Sequence, residues 1–186
     1  MYLSSLAELI LVISLILLAK QAYALNTNKQ TAKYILISAS GLVAITALLG
    51  SIKYAGVESV ASVHTLLSFY SKHLAMPLLL SCILYLTCCH EKLTIGTTLL
   101  LAFGLLPLFG LPGALTDVSI VLIMFTLLAF HKSKKRIAAS IAFLLGVPLS
   151  VWFSDNIDIN MALFHLFLAA HISTLTPLLT KLSKSQ

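Results

Sequence analysis

The chain has 186 residues, of which 59% are hydrophobic and 10% charged, with a formal net charge of +6 and a mean hydropathy of +1.02. A water-soluble domain carries roughly 25% charged residues, so this chain cannot cover a water-facing surface; at about 20 residues per crossing it has room for six or seven membrane helices and no sizeable aqueous domain. The excess of positive charge does not point to nucleic acid, because the basic residues sit in short loops and at the ends of apolar stretches, where they orient a protein in a membrane.

The first apolar segment, Leu3 to Leu25, ends at the polar run from Asn26 to Lys33. Its Ala22-Tyr23-Ala24 looks like a signal-peptidase site, but no basic residue precedes the apolar core and Glu8 lies inside it, so the segment reads as a membrane helix. The second segment runs from Tyr34 to Lys53, with Gly41 and Gly50 allowing close packing. A third stretch runs from Val57 to His90. As one helix it would measure about 50 Å at 1.5 Å per residue, against a hydrocarbon core of about 30 Å. Leu74 to Cys89 is therefore expected to span. Val57 to Ser71 is expected to form an extra amphipathic or re-entrant helix ahead of it, or a long tilted extension, with a break near Ser71 to His73.

Thr94 to Phe109 forms the fourth segment, ended by a turn at Pro112 and Gly113; Leu115 to Phe130 forms the fifth. Ile137 to Phe153 is the sixth, with Pro148 as a kink, and Ile159 to Leu179 the seventh, with Pro177 near its end. No internal repeat or low-complexity linker divides the chain, so residues 1–186 read as a single transmembrane domain: an all-α bundle of seven membrane helices.

Seven crossings also sort the charges. Of the 12 Lys and Arg residues, all but Lys53 and Lys72 fall on the side holding the ends of the first, third, fifth and seventh segments. Every acid except Glu91 falls toward the other side. Basic loops stay in the cytoplasm, which puts the N-terminus outside and the C-terminus inside a bacterial inner membrane.

That orientation fixes depth. His165 lies about 10 Å and His171 about 20 Å below the outer end of the last segment. Glu8, Glu58, His64, His73 and Asp117 fall in the same outer half. Ionisable groups in lipid need partners, a wet cavity or a function, so these seven residues form the candidate polar site. His165 is expected to reach Glu8, His64 or Asp117. His171, about 120° round the helix, is expected to meet another partner, His73 or a hydroxyl. A lone membrane histidine bonded across a helix interface is the plainer structural alternative. Cys88-Cys89-His90 lacks CxxC spacing and the 3 cysteines lie in one apolar segment, so neither a metal site nor a disulfide framework is implied there.

The leading functional expectation is an outward-facing site that binds or transports a proton, a cation or a small molecule. The alternatives are a lipid hydrolase holding Zn²⁺ with His64, His165 and Asp117, a redox protein with haem b on two histidines, and a structural subunit. The expected partners are the lipid bilayer and other membrane subunits or copies of the chain, with no nucleic acid. No nucleophile motif supports the hydrolase.

Overall fold

The computed structural model describes residues 2–87, 91–130, 134, 137–138, 140–141 and 156–184. Most of the expected sixth segment, including Pro148, most of the basic loop from His131 to Arg136, and Cys88, Cys89 and His90 lie outside them. Among the described residues every regular element is helical: α1 (Tyr2–Tyr23), α2 (Gln30–Tyr54), α3 (Ala61–Tyr70), α4 (Met76–Thr87), α5 (Glu91–Leu105), α6 (Ala114–Phe130) and α7 (Ile157–Lys184). Four helical stretches are long and apolar enough to cross a membrane, namely Tyr2–Tyr23, Gln30–Tyr54, Glu58–Thr87 and Asp158–Thr180. Ile95–Phe109 and Ala114–Ala129 are also apolar but shorter.

The helices are amphipathic in the inverted sense that lipid demands. On α1 the buried stripe is Ser4, Ala7, Glu8, Leu11, Ser14, Leu15, Leu18 and Ala22. The exposed face carries Leu3, Leu6, Ile10, Ile13 and Leu17. The three-to-four spacing is that of a helix face, but the small and polar residues point inward, where they let backbones approach and find partners. On α2 the inward stripe repeats this chemistry with Ala39, Ser40, Val43, Thr46, Ala47, Gly50 and Ser51. Ser40 and Thr46 on these stripes return to their own helix, donating to the Leu36 carbonyl at 2.8 Å and the Leu42 carbonyl at 2.9 Å, while Ser4 and Ser51 find partners on neighbouring helices.

Interhelical contacts fix direction. Ser5 meets Ser51 at 2.9 Å, and at the other end the buried Lys33 ammonium donates to the Leu25 carbonyl at 2.8 Å, so α2 runs antiparallel to α1. Thr46 meets Ser71 at 2.6 Å and the Lys29 ammonium donates to the Tyr85 carbonyl at 2.7 Å, so α3 and α4 run back against α2. The last helix runs beside α1 in the same direction. Ser4 donates to the Asp158 carbonyl at 2.7 Å, Glu8 meets His165 and Ser173 meets Ser14 at 3.2 Å.

In the third region the expected break is not found, and the stretch before it continues the helix as an extension. Helical structure is continuous from Glu58 to Thr87, and Ser71–Ala75 forms a π-helical turn rather than a break. The cause is Pro77. It lacks an N–H and its ring crowds the carbonyl four residues back; the widened turn absorbs this, with the Met76 N–H bonding to the Ser71 carbonyl. The helix therefore passes Lys72 without stopping, and the half-exposed Lys72 ammonium pairs with Asp117 at 3.0 Å.

Candidate intramembrane polar site

Three helices deliver the centre of the site. Glu8 projects from the inward stripe of α1 and is 2% exposed. His165, on the face of α7 that packs against α1, places Nε2 3.3 Å from Glu8 Oε1. His64 is the only buried residue of α3, a helix otherwise showing Val63, Leu66, Phe69 and Tyr70 outward. The floor is Gly50 of α2. A Cβ there would collide with Glu8 Oε1 and lie 2.9 Å from Glu8 Cδ and 3.0 Å from His64 Nε2. Only a residue without a side chain leaves room for Glu8 and His64 to meet over that helix.

At 3.3 Å His165 Nε2 and Glu8 Oε1 are within hydrogen-bond reach, and the arrangements that leave the buried pair without net charge are carboxylic acid against imidazole and carboxylate against imidazolium. Glu8 Oε2 and His64 Nδ1 are buried without a hydrogen-bond partner. His64 Nε2 lies 3.3 Å from Ser68 Oγ, and its ring packs edge-on against Tyr54 at 6.1 Å. Unmatched polar atoms in an apolar interior are costly, so the site retains hydrogen-bonding capacity that its own walls do not use.

These groups line a half-open cavity of about 580 Å³ between α1, α2, α3, α4, α6 and α7. Leu11, Val43, Ala47, Met76, Ile120, Val121, Met161, Phe164 and Leu168 make most of its surface apolar. Polar character is confined to two places, Glu8 with the histidines and, further along, Ser71 with the Lys72–Asp117 pair.

The seven residues expected to gather thus divide. Glu8, His64 and His165 come together. Asp117 lines the same cavity but pairs with Lys72. It lies deeper than expected because the α5–α6 hairpin is short and α6 begins beside the π-helical turn, where Thr116 meets His73 Nδ1 at 2.7 Å. The Thr116 hydroxyl donates to the Gly104 carbonyl at 2.8 Å, so His73 carries its hydrogen on Nδ1 and donates to Thr116. His171, 1% exposed, meets the Ser140 hydroxyl at 3.2 Å. Glu58 is exposed at the start of its helix and takes no part. The set His64, His165 and Asp117 is not assembled around a point, and among the described residues no three His, Cys, Asp or Glu side chains converge as metal ligands.

Sequence reasoning overlooked Ser71, Thr46, Thr116 and Pro77. Only Pro77 carried a readable signal, since a proline inside an apolar helix must disturb the turn before it.

The fold and this site define a class: an all-helical protein built for a membrane, with a largely apolar internal cavity and a buried carboxylate–imidazole pair. Compared with protein families, curated proteins and solved structures, the chain has no match.

Proposed function

We propose that the chain is a seven-span membrane protein, N-terminus outside, whose cavity binds and passes a small solute or ion, with Glu8 and His165 as the exchangeable polar centre. The parity of crossings supports the count. α1 and α7 start at the same end while α4 finishes at the other, so an odd number of crossings lies between Thr87 and Asp158. Three crossings meet that parity: the short α5 and α6, and one expected from the apolar sequence Ile137 to Phe153.

One observation carries the functional reading. A carboxylate and an imidazole from opposite ends of the chain are buried against each other in the wall of a cavity of about 580 Å³, with Glu8 Oε2 unpartnered. A purely structural pair would be packed over; this one borders open volume of the size that small-molecule sites occupy. The hydrolase alternative lacks its third ligand, as described above.

The test is flux in proteoliposomes holding a pH-sensitive dye, with H⁺, Na⁺ and K⁺ gradients imposed in turn. Wild-type vesicles should dissipate at least one gradient faster than protein-free vesicles, and Glu8→Gln should abolish that difference while the variant elutes and melts as a folded protein. Equal flux through wild type and Glu8→Gln would leave the pair a structural one.

A further inference from the structure

We infer that the cavity takes a lipophilic organic cation, whose arrival displaces the proton held between Glu8 and His165. The inference rests on reading the cavity as a binding site and narrows what binds there. Walls such as Leu11, Val43, Ile120 and Leu168 select an apolar body, and the Phe164 ring offers a surface that favours positive charge.

Charge decides the sign of the ligand. The charged side chains among the described lining residues are Glu8, Lys72 and Asp117. Lys72 is committed to Asp117, with Nζ 3.0 Å from Oδ1 and 3.1 Å from Oδ2. An anion would have to break that pair to find a counter-charge. A cation finds Glu8, whose Oε2 is buried and unpartnered. The neighbouring ionisable groups do not supply an alternative: His64 lies with Glu8 over Gly50, the Lys53 ammonium lies over the Tyr54 ring at the end of α2, and the Asp158 carboxylate accepts from the Ser4 N–H at the start of α7.

The proton balance follows. At rest the Glu8–His165 pair holds one proton and no net charge. A bound cation is compensated only by Glu8 as carboxylate with His165 as neutral imidazole. The proton must therefore break its O–H or N–H bond and leave to water as the cation enters: one positive charge in, one out. The buried site remains neutral throughout, which avoids the large cost of an uncompensated charge away from water.

The probe is tetraphenylphosphonium, a permanent cation with no proton of its own to lose. It would be added to the purified full-length protein in weakly buffered detergent containing a pH indicator, and its binding measured in parallel by equilibrium dialysis. Saturable binding should release one proton per cation bound, and Glu8→Gln should weaken binding by about tenfold or more as a charge-assisted contact is lost and release none. Binding without proton release overturns the exchange. If tetraphenylborate and triphenylphosphine oxide bind as well as the cation and Glu8→Gln changes nothing, the cation assignment fails while the binding cavity stands. If none of the three probes binds, the organic-cation assignment falls, and the proton, sodium and potassium flux measurement alone decides whether the cavity passes a smaller solute. Should Glu8→Gln not fold, His165→Gln decides: it keeps the carboxylate, so the pH midpoint of cation binding should move, and an unmoved midpoint overturns the exchange.

Discussion

Gly50 does its work by having no side chain. Alanine there would drive a methyl group into the space held by Glu8 Oε1 and His64 Nε2. Overpacking of this kind costs about 1–3 kcal/mol, so Gly50→Ala should lower the melting temperature and weaken cation binding together. Shortening the opposing side chain should relieve it. In a double-mutant cycle Gly50→Ala with Glu8→Ala should be non-additive by about 0.5–3 kcal/mol, with stability regained and binding still absent. Additive losses would mean that the two residues do not share the space. Thr116 is the second residue with leverage, because its hydroxyl accepts from His73 and donates to Gly104. Thr116→Val leaves both unmatched and should cost about 0.6–1.7 kcal/mol for hydrogen bonds of this class in membranes, read as an earlier thermal transition with the cation site intact. A loss of binding with unchanged stability would contradict that separation.

At the scale of the element, the π-helical turn Ser71–Ala75 sets where α3 points its side chains. Three consecutive residues of that turn engage other helices: Ser71 bonds Thr46, Lys72 pairs with Asp117, and His73 donates to Thr116. Deleting Leu74 would remove the extra residue and turn everything before it by about 100° relative to α4. His64 would leave the cavity, so tetraphenylphosphonium binding should fall to the background of Glu8→Gln while the protein still inserts; retained binding would show that α3 does not rely on the turn. Much of the site was legible because ionisable residues in apolar segments are conspicuous: Glu8, His64 and His165 each had to go somewhere costly without a partner. The placing of Asp117 was not, since depth was counted from an assumed surface and the sequence does not say that the α5–α6 hairpin stops short. The hydroxyl contacts of Thr46 and Ser71 were equally silent, because any Ser or Thr in a helix can satisfy itself on the preceding turn. Pro77 did announce a disturbance near Ser71, yet a proline tells only that the helix must adjust, and here it widens without ending.

For the molecule as a whole, the antiparallel order of α1, α2 and α4 and the shared direction of α1 and α7 make the topology testable. Tags at the N-terminus and at Asp155 should be reached from outside, and tags at Ser133 and Gln186 only after the membrane is opened; both ends on one side would rule out an odd number of crossings. The side-by-side packing of α1 and α7 also has a consequence in time. Ser4 and Asp158 are 154 residues apart, and a ribosome adding about 5–20 residues each second needs roughly 8–30 s to cover that distance. Throughout that interval Glu8 is in or near the bilayer with no His165 to meet it. Nascent α1 is thus an incomplete half of a pair, held over until the last helix is made. Chains that stall before Asp158 should be recognised by the quality-control machinery of the membrane through that solitary carboxyl group, and a Glu8→Leu substitution should lengthen the lifetime of such truncated chains while shortening that of the full-length protein, whose His165 loses its partner.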